Sequence, residues 1–220
     1  MKISFLVSGG GGNLKFLHES LLQGFIKNVE LSVVADRECD ALRFARENSV
    51  DSYLIEFSRS NPESLRETLY SIDPDVVVSS WNKIIDVDTV KAFETKLINL
   101  HYSLLPAFGS LIGVAPIKQA YEKGCRYIGP SCHYVDEGVD TGQIIAQAIF
   151  KTDISYQEAV STMFQTGCIT LLNAITQITN EDILGEAIRT SNQNYDNYNP
   201  TLKFNLARFD IGFWNKLTNL

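Results

Sequence analysis

The feature that most restricts this chain is a regular alternation, over its first hundred residues, of short apolar runs with amphipathic stretches of about ten residues. The run MKISFLVS reads as a buried strand, and the four glycines Gly9 to Gly12 end it. NLKFLHESLLQG then carries Leu14, Phe16, Leu17, Leu21 and Leu22 at helical spacing, with Asn13 as the expected N-cap and Gly24 as the stop. The unit recurs as strand VELSVVAD, helix CDALRFAREN, strand SYLIEF, helix NPESLRETLYSI, strand PDVVVSS, helix VDTVKAFET and strand KLINLH. Strands separated by helices of this length make βαβ units. The expectation is an α/β fold whose open, mostly parallel sheet is covered by helices on both faces.

Further along, GVAPIKQAYEKG reads as a helix with Pro116 in its first turn and Gly124 at its end, and YIGPSCHYV and GQIIAQAIF as two more strands. SYQEAVSTMFQTGCITLLNAITQIT is the longest helical pattern, opened by a capping box of Ser155 and Glu158. From Asn180 the chain turns polar through RTSNQNYDNYNP and ends on the aromatic LKFNLARFDIGFW. This divides it into a main domain, residues 1–179, and a short C-terminal extension, residues 180–220. The aromatic tail is expected to dock onto the core or onto a second copy of the chain, as a homodimer, with Tyr195, Tyr198 and Trp214 as the alternative stacking platform for a ligand.

At 220 residues and 45% hydrophobic composition, one full core is affordable and two are not. A net charge of -7 with no dense Lys/Arg cluster argues against a nucleic-acid partner. Cys39, Cys125, Cys132 and Cys168 lack CxxC spacing, the first apolar run is too short for a signal peptide, and no stretch has the ~18 apolar residues of a membrane span. A cytoplasmic protein with reduced thiols, no membrane association and no bound metal is expected.

Ligands of open parallel sheets bind beyond the carboxyl ends of the strands. The segments arriving there are Gly9 to Asn13, Ser79 to Ile85, Asn99 to Pro106 and Val135 to Asp140. The glycine turn offers bare N–H groups to an anion, or merely lets helix and strand pack closely. As a dinucleotide fingerprint it fits Gly9 and Gly11 but has Leu14 in the third position, although Asp36 stands where a ribose hydroxyl would be read. In LINLHYSLLP, Asn99 and His101 alternate onto one face of a strand, so an amide and an imidazole converge at its end. A carboxylate is needed to orient the ring. Asp140 is the first candidate, with Asp136 and Glu137 as competitors. Such a trio suits a reaction through a tetrahedral oxyanion, with no serine elbow or activated cysteine to suggest a covalent intermediate.

The run INLHYSLLP, followed about thirty residues later by HYVDEGVDTGQII, resembles the signature of the 10-formyltetrahydrofolate-dependent formyltransferases. ISFLVSGGGGNL is similar to the opening of their glycinamide ribonucleotide branch, and GVAPIKQAYEKG to the branch acting on methionyl-tRNA, the likeness covering roughly residues 1–175. The resemblance implies a Rossmann-like formyltransferase fold for residues 1–179 and the co-substrate 10-formyltetrahydrofolate. It places the catalytic trio on Asn99, His101 and Asp140. The pterin would lie against Asn82, Lys83, Ile84 and Ile85 and the loop Val135, Asp136, Glu137, Gly138 and Val139. The acceptor, a small amine, would meet Gly10, Gly11, Gly12, Asn13, Trp81 and Tyr102.

This chain departs from the family pattern on the acceptor side. Gly12 stands where the glycinamide ribonucleotide enzymes carry a Ser, Thr166 and Gly167 where their long helix brings a glutamate, and Tyr102 where the family has Pro after its His. The loop AFGSLIGVAPI is about three residues longer. A retained donor and a changed acceptor follow, with a nucleotide-linked amino sugar as the expected acceptor and glycinamide ribonucleotide as the alternative. A nicotinamide-dependent dehydrogenase using the glycine turn and Asp36, and a catalytically silent ligand-binding relative, are the readings outside this chemistry.

Overall fold

The computed structural model describes residues 1–179, 182–189 and 195–218; residues 180, 181 and 190–194 of the polar stretch lie outside the described residues. The alternation becomes β1 (Lys2–Val7), α1 (Gly12–Leu22), β2 (Glu30–Ala35), α2 (Asp40–Glu47), β3 (Asp51–Leu54), α3 (Glu63–Ile72), β4 (Val76–Ser80), α4 (Val87–Ala92) and β5 (Leu97–His101). There follow α5 (Ala115–Glu122), β6 (Tyr127–Ile128), β7 (Ser131–Tyr134), β8 (Ile144–Ala148), β9 (Phe150–Lys151), α6 (Tyr156–Ile178), β10 (Tyr198–Asn199) and α7 (Ile211–Thr218).

The main sheet has eight strands in the order β10-β8-β7-β5-β4-β1-β2-β3. The five from β3 to β5 run parallel, while β7, β8 and β10 continue the sheet antiparallel. Alternate residues of each central strand face opposite ways. Phe5, Val33, Val78 and Ile98 enter one core with α1, α2 and α6, and Leu6, Val34, Val77 and Leu97 enter the other with α3 and α4.

Three local expectations are corrected. The N-cap of α1 is Gly11, not Asn13. Its φ of 68° is the left-handed region, and a Cβ there would lie 2.6 Å from that of Ala41, so only glycine fits this turn. The strands YIGPSCHYV and GQIIAQAIF each break in two, and β6 and β9 pair in a separate ribbon. Pro130 has no N–H to donate, and Gly129 approaches the carbonyl oxygen of Ala148 so closely that a Cβ would stand 1.8 Å from it.

The extension packs against the chain's own core. β10 joins the sheet edge against β8, and Phe204, Phe209, Phe213, Trp214 and Leu217 are buried with Phe16 and Phe25. Trp214 stacks on Phe16 with centroids 5.8 Å apart and planes within 9°. Burial removes Trp214 and Tyr198 from the role of an open stacking platform, while the hydroxyl of Tyr195 is engaged by Asn205 and the N–H of Leu206.

Candidate active site

The carboxyl ends of β4 and β5 and the connections after β5 and β7 surround a cavity of about 620 Å³. Strand alternation sets Asn99 and His101 on one face of β5. Asn99 donates from Nδ2 to the carbonyl of Ser79 on neighbouring β4 at 2.7 Å, which fixes the amide plane and leaves its second N–H for another partner. His101 is 7% exposed, and its Nε2 lies 3.0 Å from the carbonyl oxygen of Phe108. A carbonyl only accepts, so Nε2 carries the hydrogen and Nδ1 is the nitrogen that faces Asp140, 3.3 Å from Oδ2.

Asp140 stands in the left-handed region at φ 56°, which Asp enters more readily than most non-glycine residues. The N–H of Ser110 donates to its Oδ2 at 2.8 Å. Its Oδ1 faces Nε2 of His133 at 3.6 Å, and the other ring nitrogen of His133 lies 2.7 Å from the carbonyl oxygen of Tyr134. Burial pushes the Asp140 carboxyl up, but His133, the Ser110 N–H and the charge of His101 outweigh it and hold the group below the usual carboxylate range. Of its two competitors, Asp136 accepts from the N–H of Gly138 and the hydroxyl of Thr141, shaping the loop. Glu137 pairs with Lys91 at 3.2 Å, outside the cavity.

Asn82, Lys83, Ile84, Ile85, Val135, Asp136, Gly138 and Val139 all line the cavity, as do Asn13, Trp81 and Tyr102. Gly10, Gly11 and Gly12 do not. Gly11 is turned against Ala41, and the space beside Gly12 is filled by the ring of Phe164, 2.7 Å from where a Cβ would stand. Trp81 stacks on Phe57 at 4.8 Å and is a wall. Tyr102 packs on Gly167, and burial drives its phenol far above the ordinary range. The ammonium of Lys83 is turned to Asp36 at 2.8 Å and to the Phe57 carbonyl at 2.9 Å, so toward the cavity it offers main chain and stem. Asp36 is thereby enclosed between Lys83 and Arg37, with no exposed side-chain surface for a ribose, which removes the basis of the dehydrogenase reading.

His133 is the site residue that sequence reasoning missed. The antiparallel register of β5 and β7 sets it opposite Asn99. Its signal was rarity: of the three histidines, His18 lies edge-on against Phe44 on α1, so the remaining two were the candidates.

The sheet and cleft place the protein among open-sheet α/β proteins whose ligand site lies beyond the carboxyl ends of the parallel strands. More narrowly, the chain belongs to the formyl transferase family, whose model matches residues 1–167. The chloroplastic phosphoribosylglycinamide formyltransferase of Vigna unguiculata is 35% identical over 157 residues, covering 67% of this chain and 50% of that protein. The formyltetrahydrofolate deformylase of Bacillus subtilis (strain 168) is 43% identical over 88 residues, 40% of this chain and 28% of that protein. Among solved structures, glycinamide ribonucleotide transformylase 1 from Symbiobacterium toebii matches with a TM-score of 0.73 at 26% identity, covering 84% of this chain and 93% of that one. The chain spans about half the length of the plant relatives it matches. No described helix is long and apolar enough to cross a membrane, and no described cluster of His, Cys, Asp or Glu could hold a metal.

Proposed function

We propose that the protein transfers the formyl group of 10-formyltetrahydrofolate to the primary amine of a small acceptor by direct attack through a tetrahedral intermediate. The observation that carries this reading is the convergence of Asn99, His101 and Asp140 at the cavity, with Nδ1 of His101 3.3 Å from Asp140. The donor's flat pterin suits the slot between Ile84, Ile85 and Val139, with the main chain of the 135–140 loop offered to its polar edge. The attacking amine forms a C–N bond to the formyl carbon, and the carbonyl oxygen takes up negative charge. The second N–H of Asn99 and, with His101 doubly protonated beside the Asp140 carboxylate, the N–H at its Nδ1 stabilise it. The 3.3 Å contact to Asp140 is long for a charge-assisted bond, so Nδ1 exchanges partner at little cost. Collapse breaks the bond to N10, which leaves as the protonated amine, the proton passing from the attacking nitrogen through His101 and Asp140.

For the acceptor, the plant relatives and the solved structures support phosphoribosylglycinamide, and they lend the amino-sugar expectation no support. The four cysteines are unpaired, which favours the reducing cytoplasm as the setting. The test is to incubate the protein and 10-formyltetrahydrofolate with phosphoribosylglycinamide, with aminodeoxy sugar nucleotides and with no amine, and to weigh the products. An added formyl group on phosphoribosylglycinamide is expected. Formate and tetrahydrofolate released equally in every arm would replace transfer by hydrolysis.

A further inference from the structure

The main-chain groups that orient His101 and Asp140 share one segment, the turn that follows β5. The carbonyl oxygen of Phe108 stands 3.0 Å from Nε2 of His101, and the N–H of Ser110 donates to Asp140 at 2.8 Å. Phe108 holds φ at 57° and Ser110 at 67°, in the left-handed region that a bulky side chain such as phenylalanine seldom enters. Such a turn needs anchoring from outside itself.

The anchor is a serine behind the cavity. Ser131 of β7 is fully buried and stands opposite His101 in the antiparallel register, with Gln147 of β8 opposite it on the other side. Its Oγ donates to the carbonyl of Ser103 at 2.7 Å and accepts from the N–H of Leu105 at 3.0 Å and from Nε2 of Gln147 at 2.7 Å. A hydroxyl has one hydrogen and two lone pairs, so all its capacity is used. Ser103, also buried, carries the hold forward: its Oγ donates to the carbonyl of Ala107 at 2.5 Å, one residue before Phe108. None of Ser103, Ser131 and Gln147 lines the cavity.

We infer that Ser131 is a positioning residue for His101 and Asp140: held by Gln147 and acting through Ser103, it sets the turn whose carbonyl at 108 keeps the hydrogen of the neutral imidazole on Nε2 and whose N–H at 110 aims the carboxylate. It touches no substrate. Without its hydroxyl, the Leu105 N–H loses its side-chain acceptor, Nε2 of Gln147 loses its nearest one, and the turn loosens from the sheet. The effect on rate, though not the effect on the imidazole, rests on the transfer reading.

Long-range proton–nitrogen NMR spectra of the full chain, isotopically labelled at its three histidines and recorded at alkaline pH, where a neutral ring shows its tautomer, test this. Wild-type His101 is expected with its hydrogen on Nε2. In S131A and in S103A the two His101 nitrogens should move toward a common shift as the tautomers mix, while those of His18, edge-on against Phe44 on α1, stay in place. The kcat of both variants should fall about tenfold with each KM within about twofold of wild type, the mark of geometry lost in the transition state alone. A serine that only stabilised the fold would lower the unfolding midpoint and move neither readout. The inference is overturned if the tautomer or kcat keeps its wild-type value in the folded variants, or if wild-type His101 carries its hydrogen on Nδ1. S103A leaves the three bonds of Ser131 in place and decides the matter alone if S131A does not fold. Mixed tautomers in the variants of a protein whose wild type forms no formylated product would overturn the transfer reading and leave Ser131 as the anchor of His101.

Discussion

The catalytic corner and the packing of α6 behind it are built by opposite means. At the catalytic corner every side chain is set by main chain: Ser79 orients Asn99, Phe108 orients His101, Ser110 orients Asp140 and Tyr134 orients His133. Where α6 packs on the glycine turn and on β5 the order is reversed. Aromatic side chains occupy the spaces left by two glycines, Phe164 beside Gly12 and Tyr102 beside Gly167. A corner held by backbone hydrogen bonds keeps its geometry when its surroundings change, whereas a wall made of rings against glycines changes shape with one substitution. On the proposed reading, chemistry belongs to the first.

The sharpest way to break this division is at His101 and Asp140. His101→Ala or Asp140→Ala is expected to lower kcat by about 10³, the order of a lost proton-transfer group, with the acceptor KM little moved and a thermal midpoint close to wild type. A variant that keeps near-normal turnover removes the catalytic role from this corner. Asn99→Ala comes next, at about 10² in kcat for one lost oxyanion donor. If Asn99→Ala raised the acceptor KM and left kcat intact, the corner would be a binding surface and the contrast would fail.

His133→Asn should have a smaller effect, about tenfold in kcat, with a distinctive pH signature. The folded protein holds the Asp140 carboxyl below the usual range, so it binds that proton more weakly than the unfolded chain. The resulting stabilisation is complete above the ordinary carboxylate pKa and is lost as pH falls through it to the depressed value. Removing the His133 imidazole, which lowers the carboxyl, raises it toward its ordinary value. The acid limb of kcat/KM should therefore move to higher pH in His133→Asn, and the acid-unfolding midpoint with it. An unmoved limb would show that His133 merely fills space.

This contrast also explains what was legible beforehand. The parallel half of the sheet follows from apolar runs separated by amphipathic helices, a local pattern. The convergence of Asn99 and His101 follows from strand alternation, and Asp140 from the loop motif and the family resemblance. Each depends on the backbone alone. His133 escaped because its place depends on the antiparallel register of β5 with β7, which pairs segments more than thirty residues apart in a sheet expected to be mostly parallel. Gly10, Gly11 and Gly12, which the resemblance gives to the acceptor, do not line the cavity, and the turn at Gly11 passes Ala41.

Gly167→Ala gives the smallest effect and tests whether the ring-on-glycine device is the same at both of its occurrences. An added Cβ would lie 3.1 Å from Cε1 of Tyr102 and 3.3 Å from Cδ2 of Leu100, tight but short of a collision. Two terms oppose. Alanine in a helix interior gains up to about 1 kcal/mol over glycine, and overpacking a filled core costs about 1–3 kcal/mol. Tyr102 is half-buried, but Leu100 closes the other side of the added methyl group, so the ring alone cannot relieve the contact and the packing cost should prevail by about 1 kcal/mol. Urea unfolding of Gly167→Ala should show that loss in midpoint with an unchanged slope, and acceptor affinity should move less than threefold. A stabilised Gly167→Ala would mean that Tyr102 yields as readily as Phe164. The ring beside Gly167 would then be an adjustable part of the cavity wall, bringing the edge of the rigid corner inward to the residue next to His101.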